Sequence, residues 1–338
     1  MGTVTTVLGT VSSRDLGFTL PHEHLFLDMW SWPGGKTSVG LMGMFDADLD
    51  WGMMVEEVSA FEKLGGVTMV EVSLEEIGRN PHALKKLSLE TGIHIAMGCG
   101  WYCESYHPQY ILSSSIDELS ERLIDEIENG VESSGIRPGI IGEVGFEGEK
   151  PTEGEEWVLR AAARAHQRTG LAITTHTNMR RSGSIALDIL MQEGVPPDRI
   201  VIGHLDCYPV YGYLADLLGK GCYVQFDCVA FYFEPSFGMP RDGSEMAYLT
   251  VGLIEEGFSN QILLSHDICH RSLLRHYGGP GYVALVDRFI PLLQERGMGQ
   301  QDIETITIGN PGRVLSHEVQ ADVDTGTVER TVLAKSAI

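Results

Sequence analysis

The sequence predicts an α/β protein of the (β/α)8 TIM-barrel class. Three observations carry that prediction. Eight short, β-branched apolar runs alternate with about eight longer segments of helical period. No glycine-rich phosphate turn follows the first run, as a doubly wound open sheet would usually bring. Side chains of metal-ligand type recur at the carboxyl ends of the runs, the rim where barrels carry their chemistry.

The first strand, Phe18–His24, is followed by a long loop, Ser31–Asp50, rich in Gly, Trp and Met. The helix Trp51–Leu64 comes next and sets Val55, Val58 and Phe61 on one face. Strand two, Val67–Ser73, leads to helix Pro81–Thr91, stopped by Gly92. Strand three, Ile93–Met97, leads to helix Ser115–Asn129, which opens Ser-Ile-Asp-Glu and ends at Gly130. Strand four, Gly139–Glu143, precedes helix Thr152–Thr169, with Thr152 and Glu155 as a capping box and Gly170 as the stop. Strand five, Leu171–His176, pairs with helix Ser182–Glu193, and strand six, Ile200–His204, with helix Tyr211–Gly219. Strand seven, Tyr223–Asp227, is followed by a second long loop, Phe231–Ser244, and helix Ser244–Glu256. Strand eight, Ile262–Asp267, is followed by helix Tyr282–Arg296, with Pro291 inside or kinking it. Nothing marks an interdomain linker, so residues 1–338 read as one domain and 321–338 as a surface tail.

Composition narrows the function classes. With 43% hydrophobic and 21% charged residues the chain can bury a large core. Lys plus Arg is 24 and Asp plus Glu 47, a net charge of −23, which argues against nucleic acid and anionic membrane as partners. A small-molecule substrate, even an anionic one, stays open, since a local site can oppose the global sign. No apolar run approaches the ~20 residues of a membrane span, and no secretory leader is visible at the start. The six cysteines form no C-x-x-C pair and fit a reducing cytoplasm.

The chemistry lies at the strand ends. His22 and His24 end the first strand, Glu143 the fourth, His176 the fifth, His204 the sixth and Asp267 the eighth. Residues i and i+2 of a strand point the same way, so His22 and His24 can face one ion while Glu23 faces away. Four imidazoles and two carboxylates suit Zn²⁺ first, with Mn²⁺ or Co²⁺ also acceptable. Six ligands exceed the needs of one open tetrahedral ion. Two divalent ions, bridged by one carboxylate and one hydroxide, use them all. A single histidine at a strand end is more often a hydrogen-bonded structural residue; it is the repetition over five of eight ends that favours metal. His82, His94, His107, His166 and His317 read as structural or exposed, and His266 as pointing away from the barrel axis. His270 and His276, after the eighth strand, are candidates for touching substrate.

In Thr19-Leu-Pro-His-Glu-His-Leu25, Gly142-Glu-Val-Gly145, Thr175-His-Thr-Asn178, Gly203-His-Leu-Asp206 and Leu264-Ser-His-Asp-Ile268, the sequence resembles the phosphotriesterase family of the amidohydrolase superfamily, and its phosphotriesterase-related branch in particular. The resemblance implies a distorted barrel and a metal-dependent hydrolase with a binuclear centre. It implies that His22, His24 and Asp267 hold the more buried ion and His176 and His204 the more exposed one. Glu143 stands where many members carry a bridging carboxylated lysine. Tyr102 aligns with a tyrosine that, in lactone-cleaving relatives, reaches the bridging hydroxide. On this reading that hydroxide attacks the substrate, and Asp267 moves the proton from nucleophile to leaving group. Asp206 either orients a metal-binding histidine or caps a helix. Cys207 and Cys228 occupy positions where efficient organophosphate hydrolases have an acid-and-histidine relay. Their presence favours a carbonyl substrate, an amide, ester or lactone, over a phosphotriester.

Trp30, Trp32, Met42, Met44 and Phe45 are expected either to form an apolar lid over the mouth or to pack beneath their loop. Arg271 and Arg275 are candidates for receiving an anionic substrate group, unless acids claim them. Two rival classes remain. A phosphate-ester hydrolase on the same site would want several cations, with Arg180, Arg181, Arg271 and Arg275 as the candidates. A non-catalytic metal-binding barrel would be expected to have lost ligands, and all six are intact. Relatives in the family are often dimers, which leaves a homodimer open.

Overall fold

The protein is described here by a computed structural model covering residues 2–29, 44–177, 180–234 and 242–317. Trp30, Trp32, Met42 and the segment 321–338 lie outside the described residues. Eight parallel strands form the barrel, and helices cover it. Two further strands, β1 (Thr3–Thr6) and β2 (Gly9–Ser12), form an antiparallel hairpin ahead of it. The barrel strands are β3 (Phe18–Glu23), β4 (Gly66–Glu71), β5 (His94–Cys99), β6 (Ile140–Gly145), β7 (Ile173–His176), β8 (Ile200–Ile202), β9 (Tyr223–Phe226) and β10 (Ile262–Leu264). Each pairs with its sequence neighbour in parallel.

Alternation along the strands creates two apolar layers. Val70, Ala96, Ile140, Val201 and Leu263 pack with Val4 of the hairpin, Leu16, Val314 and Leu315, which together fill the amino-terminal end of the barrel. Ile200 and Ile202, on either side of Val201, instead join the larger layer between sheet and helices. The helices are α1 (Trp51–Lys63), α2 (Pro81–Thr91), α3 (Ile116–Asn129), α4 (Glu153–Thr169), α5 (Ser182–Gln192), α6 (Tyr211–Gly219), α7 (Ser244–Leu253), α8 (Ile290–Glu295), α9 (Gln300–Glu304) and α10 (Asn310–Leu315). The capping boxes at Ser115/Glu118 and Thr152/Glu155 form as the sequence predicts.

One expectation is refined. The helix expected over Tyr282–Arg296 is present from Ala284 to Glu295: a π-type turn, Leu285–Phe289, runs without a break into α8, and Pro291 lies inside the helix just after that turn. Past Pro311 the chain still contributes to the core, since Val314 and Leu315 are buried.

The seam of the barrel is distinctive. β3 and β10 are the two ends of the strand order and share no ladder. One backbone bond, from the Asp267 N–H to the His22 carbonyl at 3.4 Å, and several side chains close the gap. Ser265 Oγ accepts from the His22 N–H at 3.0 Å and donates to Glu23 Oε1 at 2.8 Å. The same carboxylate oxygen accepts from the His266 backbone at 3.0 Å and lies 2.8 Å from His266 Nδ1. Glu23 and His266 therefore do point away from the strand-end cluster, as alternation predicts.

Candidate metal centre and substrate cavity

The carboxyl ends of five barrel strands bring His22, His24, Glu143, His176, His204 and Asp267 together. Ligand atoms of His22, His24 and Asp267 lie within 4.8 Å of one another, as do those of Glu143, His176 and His204. Glu143 joins the two groups: its Oε1 is 3.4 Å from His24 Nε2, and its Oε2 is 3.5 Å from His22 Nε2, 3.1 Å from His176 Nδ1 and 3.2 Å from His204 Nε2. Asp267 Oδ1 lies 3.2 Å from His24 Nε2 and 3.7 Å from His22 Nε2.

Backbone conformation aims these groups. His204 and Asp267 take left-handed φ values of 56° and 49° just beyond their strands, a conformation uncommon for non-glycine residues. His204 is held there by Asp227, whose two carboxylate oxygens both accept from the His204 N–H at 3.1 Å. Gly142, at φ 120°, lets β6 approach β7; a Cβ there would collide with the Thr174 carbonyl oxygen.

Supporting groups hold the imidazoles. His204 Nδ1 lies 2.8 Å from Asp227 Oδ1, and His24 Nδ1 2.8 Å from Ser73 Oγ. His22 Nδ1 is 3.0 Å from Gln225 Nε2 and 3.4 Å from Asp227 Oδ2. Asp227 ends the seventh strand in phase with the ligands, so the pattern that located the others pointed to it as well. Asp206, the residue considered for orienting a histidine, does neither of the things expected. Its Oδ2 accepts from the Cys228 N–H at 2.6 Å and from the Tyr232 hydroxyl at 2.7 Å.

The electrostatics follow from burying opposite charges together. Burial alone would push the Glu143 carboxyl up, but the charge of His22 and hydrogen bonds from His176 and His204 hold it well below the usual carboxylate range. Burial opposes charge on His24, yet Asp267 and Glu143 carry its imidazole up to about 10. Burial likewise opposes charge on His204, and Asp227 and Glu143 overcome it and raise that imidazole well above its usual value. Burial, with the charge of Glu143 nearby, pushes the Tyr102 phenol up, so it stays a neutral donor.

The donor set fits divalent metal. His22 Nε2 is fully buried and has no hydrogen-bond partner although two carboxylates face it, the arrangement of an atom waiting to ligate. Imidazole nitrogens with carboxylate oxygens match Zn²⁺ or a similar borderline ion.

The cluster opens into a cavity of about 300 Å³ lined by Met29, Ile77, Phe231, Tyr232 and Tyr102 beside the ligands, with His270 on its wall. Tyr102 Oη lies 3.2 Å from His176 Nδ1. No lysine or arginine lines the cavity among the described residues. Arg271 donates to Asp50 at 2.6 Å, and exposed Arg275 lends its charge to Glu57. Arg180 and Arg181 pair with Glu149 at 3.3 Å and Asp216 at 3.1 Å. His276 is exposed and off the cavity. Met44 and Phe45 do not form a lid; both are buried, and Phe45 bridges to Leu27.

Comparison with known proteins agrees with this architecture. The model of the phosphotriesterase family matches residues 2–315. The phosphotriesterase homology protein of Escherichia coli (strain K12) is 33% identical over 300 residues, 88% of this chain and 97% of that protein. The N-acetyltaurine hydrolase of Danio rerio is 30% identical over 345 residues, 93% of this chain and 98% of its own length. Among solved structures, the lactonase Lmo2620 from Listeria monocytogenes superposes with a TM-score of 0.82 at 28% identity, covering 93% of this chain and 99% of that one. A mutant organophosphorus hydrolase from Deinococcus radiodurans gives 0.81 at 29% identity, covering 93% and 97%.

Proposed function

The chain belongs to the phosphotriesterase family of metal-dependent hydrolases, and on that premise we propose that it hydrolyses a carbonyl substrate, an amide, ester or lactone, with two divalent ions. The observation that carries the reading is the pair of ligand triads joined by Glu143 at the base of a cavity whose described wall holds no cation. His22, His24 and Asp267 would hold one ion and His176 and His204 the other, with Glu143 between them; Zn²⁺ suits these donors. Bound there, such ions lower the pKa of water toward ~7 and polarise the bond to be broken.

The chain's own residues supply the rest. Asp267 reaches the cavity and is suited to take the proton of the attacking water and return it to the leaving group. The neutral Tyr102 hydroxyl can donate to the oxygen that gains charge, a contribution of roughly 1–3 kcal/mol if well aligned. Met29, Ile77 and Phe231 exclude water around an uncharged acyl group. Among the described residues no side-chain cation is free to clamp a phosphate ester, because the four arginines considered for it all face acids. N-acetyltaurine hydrolase and a lactonase among the relatives both carry names of carbonyl chemistry, which supports the same choice. All six cysteines are free, which fits a cytoplasmic setting; no described helix is long and apolar enough to cross a membrane.

The test is a hydrolysis screen of the metal-loaded protein over lactones, esters, N-acyl amines and phosphotriesters. Turnover confined to carbonyl compounds is expected. Turnover confined to phosphotriesters would overturn the substrate class, and full activity after exhaustive chelation would overturn the metal.

A further inference from the structure

We propose that Cys207, Cys228 and Asp206 form a third cation site, for a thiophilic divalent ion such as Zn²⁺ or Cd²⁺, on the cavity wall beside the proposed pair. Asp206 and Cys207 lie on the short turn that follows β8, and Cys228 follows β9. These strands are neighbours in the barrel, so their carboxyl ends bring the three residues together. A carboxylate oxygen of Asp206 and the two sulfurs lie within 4.8 Å of one another, and all three residues line the cavity.

A second observation points to a ligand. Asp206 is 2% exposed, and only one of its two oxygens is used: Oδ2 takes the Cys228 N–H and the Tyr232 hydroxyl, while Oδ1 is buried without a partner. Native proteins rarely leave a buried carboxylate oxygen unsatisfied. Two sulfurs and one oxygen are a donor set for a borderline or soft d¹⁰ ion, and a poor one for Mg²⁺ or Ca²⁺. The cluster also abuts the centre, because Cys228 Sγ lies within 4.8 Å of ligand atoms of His204 and Asp267. An ion on the thiols would therefore narrow the approach to His204, and a rise in free zinc would restrain access to the cavity.

The site can be tested without any substrate. The full-length protein, loaded with two equivalents of Zn²⁺ under a phosphine reductant, is titrated with Cd²⁺ and followed by the ultraviolet sulfur-to-cadmium charge-transfer band, with metal counted by mass spectrometry. A third equivalent accompanied by the band is expected. The band should vanish in Cys207→Ser and in Cys228→Ser and persist in Cys269→Ser, whose thiol also lines the cavity but lies outside the cluster. Asp206→Asn should weaken uptake at least tenfold. No band in the wild-type protein, or a band that survives both serine variants, would overturn the proposal. The six ligands of the proposed pair contain no sulfur, so the pair cannot give the band, and the serine variants separate this site from the other thiols. Its absence would leave the hydrolase reading intact, and failure of that reading would leave the band unchanged.

Discussion

A carboxylate behind a histidine decides how firmly that histidine holds an ion. Asp227 grips His204 twice, through Nδ1 at 2.8 Å and through the backbone N–H at 3.1 Å. Asp227→Ala should therefore lower metal affinity about 10–100-fold. A competitive chelator titration measures this, and unchanged affinity would remove the orienting role. Asp267→Asn keeps shape and hydrogen-bonding size but loses the proton acceptor. Its kcat should fall by ~100-fold or more while the circular dichroism spectrum stays native. Near-normal turnover would exclude it as the base. The six candidate ligands were legible in the sequence because each sits at the end of a strand-type run. Asp227 shares that position, but only the fold shows it braced against His204. The partners of Arg271 and Arg275 were not legible: which acid meets which arginine depends on loops that come together only in the fold.

At the scale of elements, the eight strands followed from composition and alternation, and most helix stops from glycine. Strand ends shifted by a residue or two, as hydrogen bonding rather than hydrophobicity sets them. The amino-terminal hairpin escaped notice because Thr3–Ser12 alternates weakly; it is its contact with the barrel floor, through Val4, that gives it a place. Arg79 is another feature no pattern reveals. It follows the turn after β4, and its buried guanidinium donates to Glu126 at 3.0 Å and 3.2 Å and to the Gly98 carbonyl at 3.3 Å, tying α3 to the end of β5. Arg79→Ala should cost about 3 kcal/mol, the low end for a broken buried pair because Glu126 keeps some access to water. Thermal unfolding should show the midpoint falling by several degrees, and an unchanged midpoint would show the pair to be dispensable.

At the scale of the whole molecule, metal and protons compete for one cage. With His24 raised to about 10 and His204 raised as well, the metal-free protein carries protons on these rings at neutral pH. Loading must release them, so affinity should rise with pH across the neutral range, tighter at pH 8 than at pH 6. Isothermal titration in two buffers of different ionisation enthalpy checks both affinity and proton release; weaker binding at the higher pH would contradict the assignment. The sign for the metal-free fold is opposite. A ring whose pKa is raised on folding stabilises fully below the usual 6.5, and that support fades as pH climbs through about 10. The gap between β3 and β10 carries a wider consequence. His22 and His24 stand on one side of that join and Asp267 on the other, so a cation gripped by all three would act as a rivet across a join that has hydrogen bonds but no strand ladder. Stripping it should make amide protons along these two staves exchange with deuterium faster than those of β6 or β7, and the cylinder would begin to open at the point where its chemistry is housed.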